Sequence, residues 1–241
     1  MKGVIRTIAP AARIVDISHQ ITPFETLEAA FVIAQAWPYF PKKTVHVVVV
    51  DPGVGTARRP ILIEAGGHYF VGPDNGVLSM IYDHHRHKAR HLTQVRYFLP
   101  EVSRTFHGRD VFAPVAAHLA RGVPPARFGK RIEDHLRLDV CVPVRSGRRA
   151  WTGTVLKADR FGNLITNFHV ADFPDVRSRP IALLAGVKRV ERVVESYVDG
   201  AVGEPVLIVG SSGYLEVAAN QGSASKLLGC GAGAPLELTI Y

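Results

Sequence analysis

Cysteine is almost missing from this chain: Cys141 and Cys230 are the only two, with no CxxC pair and no cysteine–histidine cluster. That scarcity excludes a disulfide-stapled scaffold and a structural zinc site. Long apolar runs are missing too, and no stretch approaches the roughly 18 residues of a membrane-spanning helix. Residues 1–12 carry Lys2 and Arg6 but lack the apolar core of a signal peptide. No internal repeat or low-complexity tract occurs. These absences leave a globular protein, expected in the cytoplasm, with no membrane partner. Of its 241 residues, 47% are hydrophobic and 21% charged, an ordinary balance for one large domain or two smaller ones.

Positive charge is in excess. The net charge of +8 raises nucleic acid as a partner. The basic residues, however, fall in short scattered groups: Arg127/Lys130/Arg131, Arg145/Arg148/Arg149 and Lys188/Arg189/Arg192. None is interleaved with the aromatic side chains on which single-strand binders stack bases. Solvated surface charge accounts for them, and no nucleic-acid partner is expected.

Residues 14–18 read as a short strand. Thr22-Pro23-Phe24-Glu25 has the form of a helix start, with Thr22 as N-cap and Glu25 three residues on. Leu27, Ala30, Phe31 and Ala34 share one face of that helix, and Pro38 ends it. The valines at 47–50 lack the alternation of a half-buried strand, which predicts a strand covered on both faces, as in a parallel sheet between helices. Residues 61–64 and 69–71 predict a hairpin over Gly66-Gly67, leading into the turn-rich Gly72-Pro73-Asp74-Asn75-Gly76. Phe112, Val115, Ala116 and Leu119 mark the clearest helix, stopped by Gly122. Asp83, His84, His85 and His87, with His91 nearby, match no standard ligand spacing and read as a solvated helix end, not a metal site.

After Pro143 the texture changes. Residues 153–157, 164–167, 181–184, 206–210, 214–218 and 236–240 are short and apolar-rich, separated by Gly, Asn, Asp, Pro and Ser. That pattern predicts a small all-β domain, a barrel or a sandwich. The expected organisation is therefore an α/β domain built on a Rossmann-like open sheet over residues 1–146, then an all-β domain over 150–241.

Asp51 ends the valine run and is followed at once by Pro52, Gly53 and Gly55. Proline stops the ladder, and the glycines allow a sharp turn close to a ligand. Open α/β sheets bind ligands beyond the carboxyl ends of their strands, which is where Asp51 stands, with Arg58 as a candidate partner. Spacing alone leaves open that Asp51 only caps a turn. His107, in Thr105-Phe106-His107-Gly108-Arg109-Asp110, lies just before a helix N-terminus, where the dipole favours a neutral imidazole or a bound anion.

Five segments together go beyond generic patterning: VVVVDPGVGTARRPI (47–61), VGPDNGVLS (71–79), TFHGRDVFAPVAAHLARG (105–122), DRFGNLITN (159–167) and GSSGYLEVAANQGSA (210–224). In these the chain resembles the S-adenosyl-L-methionine (SAM) hydroxide adenosyltransferases, or SAM hydrolases, relatives of the fluorinases and chlorinases. The resemblance implies a C-terminal β-barrel and a homotrimer in which substrate lies between one subunit's N-domain and the next subunit's C-domain. It puts the family's Asp–Arg–His set on Asp51, Arg58 and His107. For substrate binding it implies Phe24 and Asn75, Asp159 at the methionine amine and Asn163 at the adenine edge. It further implies Tyr197 as a stacking residue, Ser211 and Ser212 at the methionine carboxylate, and the backbone near Asn220 and Gln221 around adenine. Gly108 stands where halogenases carry a halide-binding serine, which favours water as nucleophile.

The implied reaction suits those residue types. A sulfonium is a good leaving group, so the difficulty lies in the nucleophile, water, with a pKa near 15.7. Asp51 and His107 can orient it and take its proton, and Arg58 can fix Asp51. SAM is then the substrate, and neither metal nor redox cofactor is implied. In the family, the equivalent of residues 1–5 follows a further strand and a Thr-Asp-Phe-Gly loop whose aspartate binds ribose. The coding frame upstream of Met1 is expected to encode both. A pocket lacking that loop leaves a second reading, a non-catalytic adenosine- or SAM-binding protein.

Overall fold

In the computed structural model, residues 1–241 are described except for the side chains of Asp83 and His84. Two units form, Met1–Leu138 and Asp139–Tyr241; the division falls somewhat before the compositional change at Arg145–Arg149.

The first unit is an α/β open sheet of five strands: β1 (Val45–Val47), β2 (Pro60–Ala65), β3 (His68–Pro73), β4 (His87–His91) and β5 (Arg131–Ile132). Their spatial order is β1-β3-β2-β4-β5. Only β1 and β3 pair parallel; the other pairings are antiparallel. The β2–β3 hairpin turns on Gly66 and Gly67, with φ of 56° and 81°, the left-handed pair that a two-residue hairpin requires.

The helices of this unit are α1 (Lys2–Ile8), α2 (Thr26–Ala36), α3 (Ser79–His84) and α4 (Ala113–Ala120). Two of them explain the unbroken valine run. Val48 and Val50 pack with Ala29 and Ile33 of α2, whereas Val45, Val47 and Val49 pack with Val111 and Val115 on the α4 side. Apolar cover on both faces removes any pressure for alternation. The run departs from expectation in one respect: β1 lies at the edge of the sheet, its regular pairing stops at Val47, and residues 48–50 continue as half-buried extended chain.

Two expected elements do not form as read. Residues 14–18 are irregular, with Val15 largely exposed, because no neighbouring strand among the described residues takes up their backbone groups. Thr22 does not cap α2; the helix starts four residues later behind Glu25, and the Thr22 backbone N–H donates to Glu28 Oε2 at 3.1 Å. Phe24 occupies the left-handed region at φ 71°, which breaks the path a capping box needs.

The second unit holds β6 (Val144–Arg145), β7 (Ala150–Ala158), β8 (Leu164–His169), β9 (Ile181–Ala185), β10 (Lys188–Val190), β11 (Val193–Val194), β12 (Pro205–Val209), β13 (Tyr214–Ala219), β14 (Pro235–Ile240) and the short helix α5 (Ala224–Leu228). The strands curl into a half-barrel in the order β10-β9-β14-β7-β8-β13-β12-β11, with β6 on β7. All six segments expected as strands lie in it. Phe168, Leu183, Leu215 and Leu238 fill its core.

For the histidine cluster, the Asp83 and His84 side chains lie outside the described residues. His87 stands on β4, its Nε2 3.0 Å from His135 Nε2, so it belongs to a strand and not to a helix end. No group of three or more metal-binding side chains occurs among the described residues. No helix among them is long and apolar enough to cross a membrane.

A buried pair, His46 Nε2 and His68 Nδ1 at 3.2 Å, makes the first unit sensitive to acid. Burial, reinforced by the neighbouring His68, pulls the His46 pKa from 6.5 to about 4. Between those values the unfolded chain binds a proton that the folded chain refuses, so stability falls as pH drops from 6.5 towards 4. The loss at His46 is about 3 kcal/mol. Urea unfolding followed across that range should show this slope in the wild type, and His46→Phe should flatten it.

Candidate active site

The backbone delivers Asp51 to a fixed place. Val48 N–H donates to Val71 O at 3.0 Å, continuing the β1–β3 pairing in extended chain. Asn75, on the loop after β3, donates from Nδ2 to Val50 O at 2.8 Å and accepts at Oδ1 from Val77 N–H at 3.2 Å. The Nδ2 group thereby holds the residue before Asp51, and the Oδ1 group fixes the amide within its own loop. The observed contacts of Asn75 are those of a bracket.

After Asp51 the chain turns back. Val54 N–H reaches Asp51 O and Thr56 N–H reaches Gly53 O, each at 3.2 Å. Gly55 has φ 78°, and a Cβ there would stand 2.3 Å from Arg104 O, so only glycine fits. The turn brings Arg58 onto Asp51: Nε donates to Oδ1 at 3.1 Å, and Nη2 pairs with Oδ2. Both side chains are 6% exposed. The guanidinium also stacks 5.4 Å from the Phe112 ring centroid. Its Nη1 is buried with no hydrogen-bond partner among the described residues.

His107 completes the cluster, its Nδ1 standing 3.0 Å from Arg58 Nη2. Arginine can only donate, so Nδ1 accepts and the neutral ring carries its hydrogen on Nε2. Burial lowers the His107 pKa and the Arg58 charge lowers it further, against an opposing pull from Asp51 and Asp110. The imidazole is therefore neutral at pH 7. Burial raises the Asp51 pKa despite the arginine, whose charge and hydrogen bonds offset only part of the rise. His107 is placed by a π-helical turn, Gly108–Phe112, that leads into α4. That turn is held by Asp110, which pairs with Arg109 and accepts from Ser103 N–H at 2.9 Å. A Cβ on Gly108 would stand 3.1 Å from Met1 Sδ, so the backbone there is closely packed.

The second unit gathers the remaining candidates. Asp159 Oδ1 accepts from the backbone N–H groups of Phe161 and Asn163, both at 2.8 Å, and Oδ2 accepts from Asn163 Nδ2 at 3.0 Å. Asn163 is buried. Tyr197 begins a short turn after β11, half exposed, its hydroxyl 3.5 Å from Glu216 Oε2. Ser211 and Ser212 form the β12–β13 turn, with Ser211 exposed. Asn220 donates to Gly200 O at 2.9 Å, tying its loop to the Tyr197 turn, and Gln221 is exposed at φ 51°. Phe24, in the first unit, is 76% exposed just before α2. Sequence reasoning passed over Glu216, although a lone charge within the apolar strand β13 is a visible signal.

A buried carboxylate–guanidinium–imidazole cluster at a strand end is a constellation of the kind enzymes use for acid–base chemistry. The chain belongs to the SAM hydroxide adenosyltransferase family: residues 1–129 match its N-terminal domain and residues 153–237 its C-terminal domain. It is 41% identical to an (R)-S-adenosyl-L-methionine hydrolase of Salinispora tropica, covering 98% of this chain and 90% of that protein. A Thermus thermophilus protein of the same name is 36% identical, covering 99% and 92%. An uncharacterised conserved protein of Thermotoga maritima, known from its crystal structure, superposes with a TM-score of 0.88 at 37% identity, covering 99% and 93%.

The bracket role of Asn75 has a measurable consequence. Asn75→Ala strands the Val50 carbonyl and the Val77 amide, so unfolding in urea should show a loss of about 1–3 kcal/mol. An unchanged midpoint would mean that the bracket carries no load.

Proposed function

We propose that this chain hydrolyses S-adenosyl-L-methionine, water attacking C5′ of the ribose to give adenosine and L-methionine. The observation that carries the reading is the Asp51–Arg58–His107 cluster beyond β1, in a chain whose relatives bear the name of this activity. In this reading His107 donates from Nε2–H to the water oxygen and orients it. Asp51 accepts the water proton, and its raised pKa makes it a better base than an ordinary carboxylate. Arg58 holds both partners in place and favours hydroxide character in the nucleophile. The C5′–sulfur electron pair leaves with methionine, neutralising the sulfonium, so no acid is needed on that side and no cofactor enters. Alignment of water, C5′ and sulfur supplies much of the acceleration.

Phe24 lines the ribose, Asp159 takes the methionine amine and Asn163 reads the adenine edge. Asn75, Tyr197, Ser211, Ser212, Asn220 and Gln221 complete the substrate contacts. Gly108 presents no hydroxyl to a halide, in keeping with water as nucleophile. The relatives are named for the (R)-sulfonium epimer, and the same epimer is the substrate here. The working form is a cytoplasmic homotrimer, a state that sedimentation equilibrium would check.

Chromatography of SAM incubated with the protein tests the reaction: adenosine and methionine should appear in equal amounts, with the (R)-epimer consumed from an epimeric mixture. Adenosine binding without SAM consumption would select the non-catalytic reading instead. Asp51→Asn and His107→Ala should each lower turnover by about two to four orders of magnitude. Near-native turnover in either would remove its assigned role.

The pH profile gives an independent check. The base works only when ionised, so kcat/KM should fall as pH drops through the Asp51 pKa, at a pH above the ordinary aspartate value of 3.8. In Asp51→Asn the residual activity should lose that acid limb.

A further inference from the structure

Asp110 is wholly buried, at 0% exposure, within the π-helical turn Gly108–Phe112 that follows His107. Both of its oxygens are occupied. Oδ1 accepts from Arg109 Nε, and Oδ2 accepts from Arg109 Nη2 at 3.1 Å and from Ser103 N–H at 2.9 Å. Its pairing with Arg109 holds the Asp110 pKa down to about 2, against burial and with help from Ser103. The group is therefore charged at neutral pH. An acidic side chain in a first helical turn commonly reaches back three residues, to the N–H of the cap. Asp110 reaches back seven, to Ser103, which makes it a clasp across a loop and not a helix cap.

The clasp closes around His107. The N–H groups of Arg109 and Asp110 both donate to Phe106 O, at 3.0 and 3.1 Å, and Leu99 N–H donates to Asp110 O at 2.9 Å. Phe106 N–H in turn donates to Ser103 Oγ at 3.1 Å. The residues on either side of His107 are thus tied to one another and to Ser103. The same loop leans on the other half of the cluster: a Cβ on Gly55 would stand 2.3 Å from Arg104 O, and Gly55 lies in the turn that returns Arg58 to Asp51. Ser103, which Asp110 grips, is the residue before Arg104. One loop therefore both carries His107 and abuts the Asp51–Arg58 turn. The 3.0 Å contact between Arg58 Nη2 and His107 Nδ1 requires those two ends of the loop to stay in register.

We propose that Asp110 is a positioning residue for the hydrolysis, acting through Ser103 to keep His107 within hydrogen-bond reach of Arg58. This rests on the hydrolase reading and adds to it a residue that works only by way of the imidazole. Such a role differs from general support of the fold in one measurable respect. Residues that act as a unit have non-additive effects on rate, whereas independent damage multiplies.

A kinetic cycle with His107→Ala makes the test. Asp110→Asn keeps the size of the side chain but turns an amide donor towards Arg109 or Ser103. Its kcat should fall about tenfold to a hundredfold, the cost of slightly misplacing a positioned group, with KM changed less than about threefold. In the His107→Ala background the same substitution should cost less than about threefold, because no imidazole is left to place. The Arg109 side chain is 45% exposed, so Arg109→Gln loosens the clasp from outside and serves if circular dichroism shows Asp110→Asn unfolded. Its kcat loss, about threefold to tenfold, should likewise vanish in His107→Ala. If Asp110→Asn folds and keeps wild-type kcat, or if either substitution slows His107→Ala as much as it slows the wild type, the assignment is overturned. Histidine NMR reads the same contact without turnover. With nitrogen-15 histidine, the His107 Nδ1 resonance, identified by its loss in His107→Ala, should move towards the free-imidazole value in Asp110→Asn. A resonance that stays in place overturns the clasp, whereas failure of the wild type to consume SAM overturns the hydrolase reading alone.

Discussion

The buried ion pair between Asp51 and Arg58 is the contact on which the arrangement of the first unit turns. Two opposite charges that are each 6% exposed are held out of water at a cost of several kcal/mol per ion, recovered only through close, two-pronged geometry. Everything around the pair serves that geometry. The hairpin at Gly66-Gly67 sets the register of β3, β3 pairs with β1, and Asn75 pins the residue before Asp51. The tight turn at Gly55 then returns the chain so that the guanidinium meets the carboxylate squarely. Because the arginine also donates to His107, it fixes the tautomer of the imidazole as well as the orientation of the carboxylate. One cation thus determines which atoms of its two partners are left to face a ligand.

Much of this was legible in the sequence, and for identifiable reasons. The hairpin could be read from Gly-Gly between β-branched segments because that turn admits few other residues. The α4 helix could be read from its repeat of apolar positions, and the C-terminal strands from their spacing. Asp51 and His107 stood out because each follows or precedes a regular element in a glycine-containing loop. What the sequence did not disclose was long-range. The edge position of β1 depends on which strand pairs beside it, and the valine run looks the same at an edge or in the middle when helices cover both faces. The false cap at Thr22 had the right residue types, but the left-handed Phe24 diverts the chain.

The site residues divide in the same way. Arg58 was suggested by proximity to Asp51 in sequence, whereas its contact with His107, 49 positions away, needed the fold. Asn75 was noticed as part of a turn, and one of its hydrogen bonds is local to that turn, but the other ties it to a strand end that no local pattern indicates. Glu216 escaped notice because an isolated charge in a strand usually faces solvent; here β13 lies inside the half-barrel with neighbours on both sides, and the charge has nowhere else to go.

The π-helical turn at Gly108–Phe112 carries a consequence for how this site could change over evolutionary time. A π turn holds one residue more than the α turn it replaces, an arrangement that recurs at functional positions. Deleting a single residue there would let α4 continue as ordinary helix, and the segment bearing His107 would rotate by about 100° around the helix axis. The imidazole would swing away from Arg58 while the apolar face of α4 stayed in the core. A single codon lost or gained would thus switch the third member of the cluster out of or into place, a step far shorter than building a new helix around a histidine.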